Sequence, residues 1–302
     1  MSINNKISYP QEAPVENLSI KSRSLWGDAL SRFMKNRLAV FSMFMLLLLL
    51  LFVIIVPMIS PFEYDDTDWS MISMPPDFAS GHYFGTDMTG RDLLVRVAVG
   101  GRVSLSIGIL TALLSVGIGL FVGCVMGYFG GRTDFFLMRF IEILDAVPFM
   151  FLVILMVAIF GRNLTLLFIA IAVTSWSGVA RVVRGSTMSL QKQEFVDAAI
   201  TCGAGKFSII IRHIIPNLLG IVIIMASSMV PSMILAESML SFLGLGTQEP
   251  FSSWGALISD GSSAFIGALW LLVFPSIFLV ITLFCLLFIG DGLRDAFDPK
   301  DR

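Results

Sequence analysis

The chain has 302 residues, of which 56% are hydrophobic and only 14% are charged, and its formal net charge is −2. Typical soluble domains are about 45–50% apolar and about 25% charged. A single soluble core cannot absorb this much apolar surface, so the composition indicates an integral membrane protein. The small net charge provides no basic field that would indicate nucleic-acid binding. Cys124, Cys202 and Cys285 are widely separated, so neither a disulfide framework nor a metal site is predicted.

Long apolar runs predict six membrane-spanning helices, because a helix needs about 20 apolar residues to cross the hydrocarbon core. The six ranges are 38–60, 103–127, 135–160, 164–180, 217–243 and 268–290. The fourth is short and carries polar residues toward its end. The first begins too late and is too long for a cleaved secretory signal, so we interpret it as a retained helix. The expected fold class is an all-α integral membrane protein.

The placement of lysine and arginine predicts that both termini are cytoplasmic, because cytoplasmic loops carry an excess of these residues. Basic residues concentrate in the segment 1–37, in the loop 181–216 and in the tail 291–302. The segment 1–37 ends in an amphipathic lead-in to the first span. The loop 61–102 is acidic, and the segment 244–266 contains no lysine or arginine, so both are placed outside. Residues 103–290 then form a core of five helices that includes the loop 181–216.

The loop 181–216 contains a polar island at 191–216, which is rich in small residues and lies between apolar runs. Residues 191–201 are compatible with a short helix in which Glu194 and Asp197 favour the positive end of the helix dipole. Ala198 and Ala199 are small enough to let another surface approach the backbone. Gly203 suits the position after a helix that requires positive φ.

The order of residue types in this loop resembles the signature by which ABC importer permeases contact their ATPase. That signature is Glu-Ala-Ala, a Gly four residues after the second Ala, and a later Ile-x-Leu-Pro. The matching positions here are Asp197-Ala198-Ala199, Gly203 and Ile215-Pro216. Asp197 keeps the carboxylate on a shorter stem, and Ile215 replaces the Leu. His213 stands where the Ile would be, as is usual in the peptide-transporter branch, so we interpret it as structural rather than as a proton relay. Pro216 suits the first turn of the fifth span.

Three further stretches resemble the C-type subunits of the peptide/nickel branch of these permeases. They are residues 82–96 with 101–104, residues 237–246 with Pro250 and 253–255, and residues 24–37. The resemblance extends from about Ser24 to the end of the chain. It implies the type I ABC importer permease fold and one half of a heterodimeric path for oligopeptides.

The same resemblance implies the partners. The sequence contains no Gly-x4-Gly-Lys-Ser/Thr loop that could hold nucleotide phosphates. ATP and Mg are therefore expected on two partner ATPases, and this chain is expected to bind no cofactor and to have no catalytic residues. A B-type permease subunit, an extracytoplasmic peptide-binding protein, the peptide substrate and membrane lipid are the other expected partners. The expected location is the bacterial cytoplasmic (inner) membrane.

The outward motif of the loop 61–102 is Gly85, Thr86, Asp87, Gly90, Arg91 and Asp92. Its glycines permit turns, and its charged residues are expected to pair locally, since unpaired charges near a bilayer are costly. We favour this structural interpretation over direct contact with peptide. Glu142, Asp145 and Glu237 fall within predicted spans, where carboxylates are either functional groups or hydrogen-bond partners between helices. Both interpretations stay open.

Other functions remain as alternatives. The same machine would carry dipeptides, nickel chelates, haem or antimicrobial peptides with the same fold. A membrane enzyme would have to use Glu142, Asp145, Glu237 and His213, but these residues are scattered along the chain and show no nucleophile–base spacing. An ion-coupled transporter working alone would not need the polar island at 191–216.

Overall fold

The computed structural model describes residues 25–297, and within this range the chain is helical apart from its connections and one isolated β-bridge between Thr86 and Asp92. The first helices are α1 (Leu25–Lys35), α2 (Arg37–Ile59), α3 (Leu93–Phe129), α4 (Gly131–Ala146), α5 (Phe149–Phe160) and α6 (Leu164–Leu190). They are followed by α7 (Glu194–Thr201), α8 (Lys206–Ile209), a π-helical turn (Ile210–Ile214), α9 (Ile215–Phe242), α10 (Trp254–Ser263) and α11 (Trp270–Phe297). The predicted segment 1–37 and tail 291–302 lie partly outside the described residues.

Four helical stretches between residues 25 and 297 are long and apolar enough to cross a membrane. They are Arg37–Ile59, Leu93–Phe129, Lys206–Phe242 and Trp270–Phe297. Helices α4 and α5 add a fifth if the two, bent by 81°, form one broken span. The predicted all-helical membrane architecture is therefore confirmed, whereas the count of six spans is not.

The predicted range 135–160 is not one straight helix. Helix α4 ends at Ala146, Val147 adopts an extended conformation, and α5 begins after Pro148. A proline disfavours helical geometry at the residue before it and has no N–H to donate. The Val147–Pro148 step therefore explains the bend.

Three helices are longer than the apolar runs that predicted them. Helix α3 begins at Leu93, inside the predicted outward loop 61–102, and Asp92 caps it by accepting a hydrogen bond from the N–H of Val95 at 2.9 Å. Helix α6 continues to Leu190, so the loop 181–216 is mostly helical. Helix α11 continues to Phe297, past the predicted start of the tail. Charged residues within these ends shortened the apolar runs.

Helices α3 and α6 pack closely because glycines repeat every four residues along one face of α3. A Cβ atom on Gly119, Gly123 or Gly127 would lie 2.5–2.6 Å from atoms of α6. At Gly123 the nearest of these atoms is the carbonyl oxygen of Ala180. Small residues at this spacing let helix backbones approach within a membrane. Helices α3 and α6 therefore form a tightly packed pair.

The amphipathic lead-in predicted before the first span is helix α1. Its residues Ala29 and Phe33 are buried against Ala39 of α2 and Ala296 of α11. Asn36 separates α1 from α2 and caps α2, because its side chain accepts a hydrogen bond from the N–H of Ala39 at 3.2 Å. The cap fixes the change of direction between the two helices.

Candidate coupling site and outward ion network

Helix α7 lies on the short connection between α6 and α8. It begins after Gln193, which is extended, and Glu194 and Asp197 lie in its first turn and are exposed. Carboxylates stabilise this end of a helix through their interaction with the helix dipole. The predicted helix at 191–201 is thus present, and its two acidic residues have the expected position.

Gly203 ends α7 in the conformation predicted from the sequence, with φ of +79°. Its N–H donates to the carbonyl of Ile200 at 2.9 Å, and the N–H of Ala204 donates to the carbonyl of Ala199 at 3.0 Å. These two bonds form the Schellman arrangement, which satisfies the last helical carbonyls. Gly203 therefore turns the chain sharply from α7 toward α8.

The two alanines of the motif differ in burial. Ala199 is buried with Val196 in an apolar cluster that includes Val183 and Ile209, whereas Ala198 is exposed. The expectation that both alanines would admit another surface is therefore wrong for Ala199, because helical geometry places it against the chain's own core. The exposed face of α7 also carries two large apolar side chains, those of Phe195 and Ile200. This face is the surface of α7 available to a partner.

The helical path from Lys206 to Phe242 is continuous through a π-helical turn. Pro216 lies in the first turn of α9, as predicted, but α8 and the π-turn precede it without a break. Proline cannot donate to the carbonyl of Arg212, and the turn before it is the wider π type, in which the N–H of Ile215 donates to the carbonyl of Ile210. The polar island therefore enters the membrane as part of one long helix.

The remaining motif residues, His213 and Ile215, lie on this continuous helix. Ile215 is partly buried and packs against the same apolar cluster as Ala199. His213 is half-buried, and its carbonyl accepts a hydrogen bond from Nδ2 of Asn217 at 2.7 Å. Their positions fit the structural interpretation of His213.

Two contacts that the sequence motifs did not predict join this region to the bundle. Nε2 of Gln191 donates to the carbonyl of Tyr128, at the end of α3, at 3.1 Å. Arg184 of α6 forms a two-pronged ion pair with Asp134 of α4. Both pairs are separated by 50 residues or more in sequence, so no local pattern could have indicated them. They connect the end of α6, which leads to α7, to α3 and α4.

An ion network centred on Asp87 lies in the loop before α3, which the sequence predicts to face outward. Oδ2 of Asp87 accepts from Nε of Arg91 at 2.8 Å and from Nη1 of Arg96. Its Oδ1 accepts from the backbone N–H of Thr89 at 2.8 Å and that of Arg91 at 3.0 Å. Burial alone would raise the pKa of Asp87, but Arg96 and these N–H donors outweigh it and hold the pKa below its ordinary value. The predicted local pairing is present, and Arg96 joins it.

Glu249, from the connection between α9 and α10, extends the network. Arg91 holds it through Nη2 to Oε1 at 2.8 Å and through a second, shorter bond, and the hydrogen bond from Arg91 lowers the pKa of Glu249. Nη2 of Arg96 lies 3.4 Å from Oε1 of the same residue. Arg91 and Arg96 are buried, whereas the Glu249 side chain is 62% exposed. Sequence reasoning missed both Arg96 and Glu249 because they lie outside the motif.

The other motif residues hold the backbone of this loop. Thr86 accepts from the N–H of Met74 at 2.9 Å, and Trp270 donates to the carbonyl of Thr86 at 3.3 Å. Gly85 and Gly90 have positive φ, and a Cβ on Gly90 would collide with the carbonyl of Asp68. Asp92 also lies 2.9 Å from Nδ1 of His82. These contacts support the structural interpretation of the motif.

Glu237 is fully buried where α3, α9 and α10 meet. Its carboxylate accepts from the hydroxyls of Ser104 at 2.9 Å and Ser241 at 2.7 Å. Ser104 in turn accepts from the N–H of Trp254 at 3.2 Å. This arrangement favours a hydrogen-bond centre between helices over a group open to substrate.

Glu142 and Asp145 have a different position from the one predicted. Both lie on α4 before the bend, rather than within a straight span. Glu142 pairs with Arg139 of the same helix, and Asp145 pairs with Arg181 of α6. All four side chains are about one-third or more exposed. These carboxylates thus have cationic partners, and Asp145 joins α4 to α6.

The fold and this geometry define a multi-pass helical membrane protein that presents a short, partly exposed helix at one end of its bundle. The chain belongs to the family of binding-protein-dependent transport system inner membrane components, whose model matches residues 119–302. Residues 24–76 match the N-terminal TM domain of oligopeptide transport permease C. The chain is accordingly a transport component rather than an enzyme.

Named relatives are similar over nearly the whole chain. The oligopeptide transport system permease protein OppC of Escherichia coli K12 is 58% identical over 100% of both chains. The protein of the same name from Haemophilus influenzae is 56% identical over 95% of this chain and 93% of its own length. A chain of the MetNI methionine ABC transporter in an inward-facing conformation shares the fold, with a TM-score of 0.54 at 18% identity over 67% of this chain and 96% of that one.

Proposed function

We propose that this chain is a permease subunit of an ATP-driven importer of oligopeptides, forms half of the translocation path, and is driven through the segment 191–216. The orientation of α7 is the observation that supports the coupling role. Val196 and Ala199 of α7 are buried in the apolar cluster, while Phe195, Ala198 and Ile200 are exposed on the rest of the helix surface. An amphipathic helix whose apolar face lies in a partner's groove is a recurrent recognition mode.

The force path follows from the same contacts. A partner that moves α7 pulls on α6 through the short connection 191–193, and α6 is packed against the glycine face of α3. Glu194, Asp197, Ala198, Gly203, His213, Ile215 and Pro216 are the proposed coupling residues, and Ala199 is proposed to anchor α7 to the core of the bundle. We assign ATP and Mg to two partner ATPases, and the second half of the path to a B-type permease subunit.

The proposed topology has six passages, with α4 and α5 as one broken span and α6 as another. Both termini then lie in the cytoplasm, α7 faces the side where ATP is available, and the ion network of Asp87 faces outward. An extracytoplasmic binding protein delivers the peptide to that outward side. The proposed location is the bacterial inner membrane.

Oligopeptides are proposed as cargo because the full-length relatives carry that name. Uptake of peptides of two to six residues by the reconstituted complex tests this assignment. We expect tri- to pentapeptides to be taken up with ATP. Uptake of dipeptides alone would overturn the cargo and leave the coupling proposal intact.

Ala198→Glu tests the docking surface, because it places a charge on the exposed face without disturbing the buried face of α7. We expect the ATPases to be lost from the detergent-purified complex and uptake to fall to background. Ala79→Glu is the matched control, since Ala79 is also an exposed alanine but lies in the outward loop. Retention of the ATPases by Ala198→Glu would contradict docking at this face.

A further inference from the structure

Arg102 of α3 differs from the arginines of the ion networks in having no acidic partner among the described residues. Its Nε donates to the carbonyl of Val53 at 2.8 Å, and its Nη2 donates to the carbonyl of Ile54 at 2.8 Å. Both acceptors belong to α2 and are uncharged. A guanidinium stays protonated in proteins, so Arg102 carries an uncompensated positive charge.

Proline chemistry and close packing explain how Arg102 is held. Pro57 lies inside α2 and has no N–H, so the carbonyl of Val53 lacks its usual helical donor, and Arg102 supplies one. Gly101 brings the helices together, because a Cβ there would lie 2.8 Å from Cγ2 of Val53. The guanidinium is thereby fixed before any ligand arrives.

Two cavities meet at Arg102, and we name the two together the Arg102 groove. One, of about 360 Å³, is also lined by Ser106, Leu110 and Thr165. The other, of about 350 Å³, lies toward α2 and shares Ser106 and Leu110. No acidic side chain is present among the described residues that line either cavity. The groove therefore combines apolar walls, hydroxyl groups and one fixed positive charge.

An unpaired charge within a membrane bundle is costly unless it faces a water-filled space or a counter-charge. Arg102 is exposed within this chain. Because it is charged, its face of α3 is unsuited to contact with lipid tails. Arginine recognises carboxylates through parallel hydrogen bonds. Every unmodified peptide carries one carboxylate at its C-terminus whatever its sequence, so a single fixed guanidinium suits a carrier of varied peptides.

We propose that the Arg102 groove is a subsite on the translocation path that binds the C-terminal carboxylate of the transported peptide. This inference rests on the proposed function. Arg102 supplies the charge-assisted contact, Ser106 and Thr165 supply hydroxyl groups at the cavity wall, and the apolar walls contact the rest of the peptide.

The test compares trialanine with trialanine amide in proteoliposomes that contain the complete transporter and its binding protein, loaded to equal occupancy with either peptide. Arg102→Gln should lower the initial uptake rate of trialanine about tenfold, as expected for one lost hydrogen bond to a charged group. The rate for the amide should change less than about twofold, since it has no carboxylate to lose. Arg102→Lys, which keeps the charge but not the two-pronged geometry, should give an intermediate rate for trialanine.

Other outcomes would overturn the subsite. An equal fall for both peptides, restored when Pro57→Ala is added to Arg102→Gln, would identify Arg102 as a clamp on α2 only. Loss of the second permease subunit from purified Arg102→Gln would identify the groove as a subunit interface. Unchanged rates for both peptides would leave the groove without a part in transport. Failure of the wild-type complex to take up either peptide with ATP would instead reject the proposed function.

Discussion

Arg91 and Glu249 are joined by a hydrogen bond of 2.8 Å between Nη2 and Oε1, although they are 158 residues apart in sequence. The bond connects the loop before α3 to the connection before α10. Because Arg91 also holds Asp87, one guanidinium fixes two carboxylates on different segments. These two connecting segments are therefore held together by charge pairing at this end of the bundle.

The network should respond unequally to the loss of its members. Arg96→Met removes a buried partner of the buried Asp87 carboxylate and should destabilise the protein by about 3 kcal/mol. Glu249→Gln should cost less than about 1 kcal/mol, because the Glu249 side chain is largely exposed and its pairing is screened by solvent. Thermal unfolding of the purified complex in detergent measures both changes. An equal effect of the two variants would contradict this ranking.

Acidification should release the same network in a defined direction. The pKa of Asp87 is lower in the folded protein than its ordinary value of about 3.9. Its contribution to stability is thus fully present above about pH 5 and is lost as the pH falls through the folded pKa. The melting temperature should hold between pH 7 and pH 5 and decline at lower pH. Asp87→Asn should be less stable at pH 7 and should decline less on acidification, because it has no carboxylate at position 87 to protonate.

Gly203 and Gly205 provide a matched pair for testing the turn after α7. Gly203 has φ of +79°, whereas Gly205 has φ of −69°, and no atom lies within 4 Å of a Cβ built on either. Gly203→Val should cost about 1–2 kcal/mol of backbone strain and displace α7, so ATP-driven uptake should fall sharply. Gly205→Ala should retain uptake, because its backbone conformation is open to any residue. Equal uptake by the two variants would rule out a requirement for this turn.

Local sequence patterns predicted the helix and the turn within the segment 191–216. They failed where contacts between residues distant in sequence determine the structure. The conformation of Gly203 depends on the helix that it ends, so the sequence around it was sufficient. The early start of α3 was missed because Arg96 and Arg102 lie in its first turns. Arg96 is paired with Asp87 and Glu249, and Arg102 is hydrogen-bonded to α2. A hydropathy pattern assigns such charged residues to a loop, because it carries no information about their partners in the folded protein.

The different burial of Ala198 and Ala199 could have been predicted only with the bundle in place. The sequence identified a short helix with small residues, but which of them is buried depends on the cluster around Val183 and Ile209. The bend between α4 and α5 had a local signal in Pro148, yet the apolar run continued across it. Proline therefore outweighs hydropathy at this point of the chain.

The close packing of α3 and α6 should tolerate no added methyl group at Gly123. A Cβ there would lie 2.6 Å from the carbonyl oxygen of Ala180, which is a backbone atom and cannot move without shifting the helix. Gly123→Ala should lower the melting temperature of the complex, at a cost of about 1–3 kcal/mol for overpacking. Gly117→Ala is the control on the same helix, because no atom lies within 4 Å of a Cβ at that position. A loss of stability in Gly117→Ala as large as in Gly123→Ala would assign the effect to glycine content rather than to packing.

Substitution of Glu237 separates a hydrogen-bond centre from a group that carries protons. Glu237→Gln keeps an acceptor for one of the two hydroxyls of Ser104 and Ser241 and places an NH2 donor beside the other, whose oxygen can accept, so stability should fall by less than about 1 kcal/mol and uptake should persist. Glu237→Ala leaves those buried hydroxyls without their acceptor and opens a cavity, so it should cost about 2–4 kcal/mol. Thermal unfolding and uptake between pH 6 and pH 8 measure both effects. A proton carrier would behave differently, because Glu237→Gln would then abolish uptake while the protein stayed folded.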